Sequence, residues 1–167
     1  MVSIIIVTKN EEKNIKQCLA SIKVQDCTDL EVVVVDHPGT TDQTRVIVKS
    51  SGYEVIEAGP ERSEQRNFGI KKSNGEFLLF VDADMQLSPK VVSACVTKAA
   101  QGYEAIIVPE ISVGEGFWTG CRALEKRFYF NDRQMEAPRF FSRALFEKVG
   151  GYSPGLVSGE DWDLRDK

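Results

Sequence analysis

The sequence predicts an α/β protein, a three-layer α/β/α sandwich around a mostly parallel central sheet. Three observations lead there. Short apolar runs alternate with segments of helical spacing from the first residues onward, the pattern of β-α-β units. Residues 77–81 are apolar without interruption, which suits a strand covered on both faces. Polar residues gather where three such runs end: Thr8-Lys9-Asn10-Glu11, Asp36, and Asp82 with Asp84. Right-handed crossovers place the C-terminal ends of parallel strands on one side of a sheet, where ligands bind in open α/β folds.

The elements follow in order. Val2–Thr8 is a β-branched run and reads as the first strand. Asn10 is placed to cap a helix from Glu11 onward, with Glu11 and Glu12 in the first turn, where acids complement the helix dipole. Ile15, Leu19 and Ile22 mark its apolar face, with Cys18 beside them. Residues 30–35 form a second buried strand ending in Asp36, and residues 37–42 carry turn chemistry. A short helix over 44–51 stops at Gly52, and 53–57 is a third strand. Gly59-Pro60 breaks the chain before a helix over 61–72, which carries Arg62, Gln65, Arg66 and Asn67. Asn74-Gly75 turns into the strand at 77–81. Ser88 reads as an N-cap and Pro89 as the first helical residue of the next helix, whose apolar face is Val91, Val92, Cys95 and Val96. A strand is expected over 104–111, a helix over 117–130, and a short strand over 139–141. Ser142 caps a helix over 143–149, which ends at Gly150-Gly151.

Composition narrows the function. The 167 residues suit one domain, taken as 1–167. A formal net charge of −4 gives no electrostatic footprint for nucleic acid. Cys18, Cys27, Cys95 and Cys121 form no Cys-x-x-Cys pair and His37 is the one histidine, so free thiols are expected and zinc is not. No basic leader precedes the first strand, and no run approaches the roughly 20 apolar residues of a membrane helix. A cytoplasmic location follows as the expectation, at the membrane face if a longer parent chain associates there. The dinucleotide fingerprint, the P-loop and the hydrolase elbow are all absent from the sequence. A nucleotide would therefore be met by side chains and a metal. Asp82-Ala83-Asp84 suggests one, because side chains two apart on an extended segment point the same way, and hard Mg²⁺ or Mn²⁺ prefers oxygen ligands.

Motifs in order along nearly the whole chain then make the reading specific. They are 2–11, 32–36 with Thr41-Asp42-x-Thr44, Arg66-Asn67-x-Gly69, 75–84, Val149-Gly150-Gly151-Tyr152, and Gly159-Glu160-Asp161-x-Asp163-Leu164. Together they resemble the catalytic domain of the family-2 glycosyltransferases, with the GT-A fold. The resemblance implies an inverting, metal-assisted transfer of a sugar from a nucleoside-diphosphate donor to an acceptor hydroxyl. It implies that Asp84 contacts the metal, Mn²⁺ or Mg²⁺, and that Asp82 with Ala83 faces the donor's ribose or sugar. Asp161 matches the family's general base, with Glu160 beside it. Thr8, Asn10 and Glu11 match the nucleoside contacts, and Asp36 the residue that accepts a hydrogen bond from the base. Arg62, Arg66 and Asn67 are expected on the base or diphosphate side, and Trp162 is a candidate to stack on a sugar. The loop at 36–42 is one residue longer than the family pattern, so a UDP-sugar is the preferred donor and a GDP-sugar an alternative. The acceptor, whether a sugar, a lipid phosphate or a protein, is left open, as is the oligomeric state. The chain stops six residues after Asp161, where relatives usually continue. A C-terminally truncated domain that binds a nucleotide sugar without turnover is the second reading. A sugar-nucleotide pyrophosphorylase would need a glycine-rich loop where Thr8-Lys9-Asn10-Glu11-Glu12 stands.

Overall fold

The computed structural model describes residues 1–114, 116–129 and 136–167. In chain order its elements are β1 (Val2–Thr8), α1 (Ile15–Lys23), β2 (Leu30–Asp36), α2 (Thr44–Ser50), β3 (Val55–Glu57), α3 (Arg62–Lys72), β4 (Phe77–Asp82), α4 (Val91–Ala100), β5 (Ala105–Ile106), α5 (Phe117–Tyr129), β6 (Phe140–Ser142), α6 (Arg143–Lys148) and α7 (Glu160–Asp166). The strands form one sheet in the order β3-β2-β1-β4-β6-β5. Strands β1 to β4 pair in parallel, while β6 runs antiparallel to both β4 and β5.

Alternation along the strands builds two cores. Val2, Ile4 and Ile6 of β1 and Leu79 and Val81 of β4 face one side, with Ile15, Leu19 and Ile22 of α1, Val48 of α2 and Val92 of α4. Ile5 of β1 and Leu78 and Phe80 of β4 face the other, with Ile70 of α3, Phe146 of α6 and Leu164 of α7. Both faces of the sheet are thus covered, and the three-layer sandwich is as expected. Helix α3 lies close on its face because Gly69 lacks a side chain. A Cβ there would stand 2.8 Å from Ile5 Cγ2 and 3.0 Å from Val35 Cγ2. The register sets Thr8 beside Asp36 and Val7 beside Asp82, so the polar strand ends do share one edge of the sheet.

Five local expectations need correction, the first being the third strand, which spans Val55–Glu57 and not 53–57. Asn10 does not cap α1: it sits left-handed at φ 57°, and its Oδ1 accepts from the Thr41 backbone N–H at 2.9 Å. With that side chain reaching across to the β2 loop, the helix begins only at Ile15. Helix α4 starts at Val91 rather than Pro89, with the Ser88 carbonyl accepting from Val91 N at 3.1 Å and from Gln25 Nε2 at 2.9 Å. The strand expected over 104–111 shrinks to two residues, because its partner β6 has only three and Pro109 brings no donor. The short strand expected over 139–141 is displaced by one residue to Phe140–Ser142. Ser142 does cap α6, accepting from Leu145 N at 3.1 Å. The expected end of the fifth helix, Phe130, lies outside the described residues. The four cysteines are free thiols, and burial pushes that of Cys18 up to about 12. Among the described residues no helix is long and apolar enough to cross a membrane.

Candidate active site

The polar edge of the sheet divides into two groups. The first ties the loops after β1 and β2 together. Asp36 is fully buried, and Thr8 Oγ1 donates to its Oδ1 at 2.7 Å, as does Thr40 Oγ1 at 2.9 Å. Arg45 Nε donates to Oδ2 at 2.5 Å, and Arg45 Nη2 also donates to the His37 carbonyl at 3.0 Å. Asp36, the residue expected to accept a hydrogen bond from a nucleobase, thus stands at the strand end with both oxygens already held by the chain's own donors and the side chain closed to solvent. The Glu11 backbone N–H donates to Thr44 Oγ1 at 2.7 Å, and the Glu11 carboxylate accepts from Asn14 at 2.9 Å. Thr8, Asn10 and Glu11 therefore stand together at the expected strand end, but as a clamp between loops.

The second group is centred on Arg66, which is 2% exposed. Its Nη2 donates to Asp82 Oδ1 at 3.1 Å, and its Nη1 to Asp161 Oδ1 at 2.8 Å and Glu160 Oε1 at 3.3 Å. Its guanidinium lies over the Tyr152 ring, 5.0 Å from the centroid. Burial works against this charge, yet Tyr152 and the three carboxylates outweigh it and raise the pKa of Arg66. Asp82 gives its second oxygen to Arg139 Nη2 at 3.0 Å, and Arg139 Nε pairs with Glu110, itself held by Lys126 at 2.9 Å. Burial alone would raise the Asp82 pKa, but Arg139 and Arg66 hold its carboxyl below the usual range. Burial likewise opposes the charge on Arg139, and Asp82 and Glu110 overcome it.

Asp82, Asp161, Glu160 and Arg66 are thus brought together from three elements. Asn67 does not join them. Its amide grips the backbone of Tyr152, donating to the carbonyl at 2.8 Å and accepting from the N–H at 3.2 Å. Arg62 is exposed in the first turn of α3 and has no hydrogen-bond partner among the described residues. Ala83 is buried at the turn, and Asp84 beyond it is exposed, its carboxylate unpartnered among the described residues. Asp84 lines a cavity of about 1040 Å³. Asp161, Glu160 and the half-exposed Trp162 line a second of about 680 Å³. Arg139 and Glu110 line both, so the ion pair between them stands where the two meet. Arg139, Glu110 and Tyr152 were not foreseen as site residues. The signal for Arg139 was a charged residue heading a two-phenylalanine core strand, Phe140-Phe141, where burial of the charge demands a partner.

Among the described residues no three His, Cys, Asp or Glu side chains gather into a metal cage. A single open carboxylate such as Asp84 suits an ion that keeps most of its ligands from waters and substrate phosphates, as Mg²⁺ does.

The family model of glycosyl transferase family 2 matches residues 3–157. The chain is 38% identical over 187 aligned residues to glycosyltransferase AglE of Haloferax volcanii, covering 98% of this chain and 60% of that protein. It is 43% identical over 93 residues to poly(ribitol-phosphate) beta-N-acetylglucosaminyltransferase TarS of Staphylococcus aureus, covering 49% of this chain and 16% of that protein. The chain therefore spans 60% or less of the length of these two relatives. The crystal structure of S. aureus TarS shares the fold, with a TM-score of 0.78 at 24% identity over 98% of this chain and 32% of that one. So does a mannosyltransferase from Pyrobaculum calidifontis solved with GDP-Man and Mn²⁺, with a TM-score of 0.69 at 24% identity over 96% of this chain and 49% of that one. The fold is the GT-A arrangement, and the chain belongs to glycosyl transferase family 2.

Proposed function

We propose that this chain is the catalytic domain of an inverting glycosyltransferase that moves a sugar from a nucleoside-diphosphate donor to an acceptor hydroxyl. The observation that carries the reading is the Arg66 cluster. It joins Asp82, at the strand end leading to Asp84, to Asp161 at the rim of the neighbouring cavity. Two reacting partners need two adjoining spaces, with a base on the acceptor's side. Asp161 is the proposed base: an acceptor hydroxyl is a poor nucleophile until its proton is removed, and a carboxylate at the cavity rim is placed to take it. Glu160 shares Arg66 with it, which sets a second acid beside the base. Asp82, held by Arg66 and Arg139, faces the donor's ribose or sugar, and Arg62 is free to meet the base or diphosphate. Asp84 would hold Mn²⁺ or Mg²⁺ together with the diphosphate, and such an ion supplies Lewis-acid stabilisation of the charge that grows on the leaving group. A UDP-sugar is the preferred donor. A TarS fragment was solved with UDP and the Pyrobaculum enzyme with GDP-Man, so both bases belong in the test. The acceptor offers a hydroxyl on a sugar, lipid phosphate or protein, and the reaction is placed on the cytoplasmic side, at the membrane surface where the acceptor is a lipid.

The test is calorimetry with UDP- and GDP-sugars in Mn²⁺ or Mg²⁺, followed by release of the nucleoside diphosphate. Binding should weaken at least about tenfold on chelation and in Asp84→Ala, because the diphosphate loses its counter-charge. Asp161→Asn should bind donor like the wild type while turnover falls by roughly 10²-fold or more. Equal binding without metal removes the role of Asp84. Undiminished turnover in Asp161→Asn removes the base.

A further inference from the structure

Two donors converge on one oxygen of Asp161. Arg66 Nη1 donates to Oδ1 at 2.8 Å, and the Tyr152 hydroxyl donates to the same oxygen at 3.1 Å. Among the described residues Oδ2 has no hydrogen-bond partner. The Asp161 side chain is 37% exposed at the cavity rim, whereas Tyr152 is 1% exposed beneath it.

We infer that Tyr152 is a positioning residue for Asp161, fixing Oδ1 with Arg66 so that Oδ2 alone is presented to the acceptor cavity. The inference rests on the reading of Asp161 as the base. A carboxylate with both oxygens engaged is a weak proton acceptor, and one with neither engaged turns freely about its last torsion. Pinning a single oxygen gives one orientation and leaves a lone pair for the acceptor's proton, which a base must reach within hydrogen-bond distance. One donor alone would leave the carboxylate a hinge. Two, one from α3 and one from the loop before α7, do not.

Tyr152 is itself built into place. Asn67 grips its backbone on both sides, at 2.8 and 3.2 Å. Its ring meets Phe80 edge-on at 5.2 Å and Phe146 at 5.7 Å. Gly150 and Gly151 approach it at φ 81° and 68°, and a Cβ on Gly151 would stand 2.9 Å from Phe146 Cε1 and 3.1 Å from Asn67 Oδ1. The Arg66-Asn67-x-Gly69 and Val149-Gly150-Gly151-Tyr152 motifs thus serve one construction: two glycines turn the chain, Asn67 holds it, and the tyrosine and arginine stack under the base. Burial raises the Tyr152 pKa, so the hydroxyl remains a donor at any working pH.

The competing explanation is a core aromatic whose hydroxyl merely finds the nearest acceptor. Tyr152→Phe separates the two, since it keeps the ring and removes only the donor. The charged and titratable groups around Asp161 are Arg66 from α3, Asp82 from β4, Arg139 ahead of β6, Glu160 on its own helix, and Tyr152. Tyr152→Phe in the intact chain should lower kcat by roughly tenfold while KM for the donor and calorimetric donor affinity stay unchanged, the split expected when a base is misaligned and the donor site is intact. Asn67→Ala, which leaves the hydroxyl but loosens it, should lower kcat by less. A kcat unmoved in both variants overturns the positioning role while leaving Asp161 as base. Turnover that persists in Asp161→Asn overturns the base reading whatever the two variants show.

Discussion

Arg66 is one positive charge set among three carboxylates, and it is nearly closed to solvent. Arg139 supplies the second charge to Asp82. Removing one partner of a buried ion pair leaves the other uncompensated, at a cost of about 3–5 kcal/mol. Arg66→Met keeps most of the volume and removes the charge. Urea denaturation at pH 7 should show a loss of that order, and the loss should shrink as pH falls below the usual carboxylate range, where Asp82, held low by its arginines, takes up its proton. Arg66→Lys should fall between, because a single ammonium cannot reach several carboxylates as the planar fork does. A loss under about 1 kcal/mol for Arg66→Met would mean that Arg139 and solvent already balance the three acids. At this scale the sequence was only partly legible. Asp82 stood out because it sits where an apolar run ends, and Asp161 through the motif that resembles the family-2 glycosyltransferases. Arg66 was expected on the base or diphosphate side, and of the three carboxylates it holds, Asp161 lies 95 residues further along the chain. Asn67 and Asp36 were expected on the donor for the same reason. Spacing shows which side chains reach the sheet edge, not which of the chain's own groups already hold them.

Helix α3 shows what an element requires of its sequence. It carries Arg66 and Asn67 on one turn and Gly69 on the next, and the glycine lets those two residues stand at the height of the strand ends. Alanine at 69 would improve helix propensity by up to about 1 kcal/mol. Its methyl would also press into Ile5 and Val35, side chains of β1 and β2 that cannot withdraw from a packed core. Overpacking of this kind costs about 1–3 kcal/mol and wins the comparison. Gly69→Ala should therefore lower stability by roughly 1 kcal/mol net, and donor binding should weaken as the helix is pushed off the sheet. A variant more stable than the wild type would show that the helix, not the core, sets the balance. The period of the apolar residues disclosed the existence of α1, and the uninterrupted apolar runs the parallel strands, since burial on both faces leaves a plain signature. It did not disclose the start of α1, delayed by the reach of Asn10 to Thr41, or the shortness of β5, which depends on how far β6 extends. Those are decided by partners distant in sequence.

The whole molecule separates chemistry from anchorage along the length of its strands. The edge bearing Thr8 and Asp36 holds the site, and the edge bearing Ser3 and Glu31 lies five pairs away in the same register, roughly 17 Å at the usual rise. There Ser3 Oγ donates to Glu31 Oε2 at 2.6 Å and accepts from Gly75 N at 2.8 Å. Asn74 donates to Glu31 through its backbone at 2.8 Å and its amide at 3.1 Å. One carboxylate thus joins β2 to β1 and to the turn that leads into β4. Burial alone would raise its pKa, but these hydrogen bonds outweigh burial and lower it. A carboxyl with a folded pKa below its unfolded value of about 4.3 binds fewer protons when folded. Its contribution is full above that unfolded value and is lost as pH falls through the folded one. Glu31→Gln should cost about 1 kcal/mol at pH 7, a figure discounted for partial exposure to solvent. The difference from wild type should narrow as acid is added below about pH 4. Donor affinity at pH 7 should not change, because the site is at the opposite edge. Melting curves of both proteins from pH 7 to pH 3 measure the first effect and calorimetry the second. A gap that stays constant across that range would show that shape, not charge, holds this edge together.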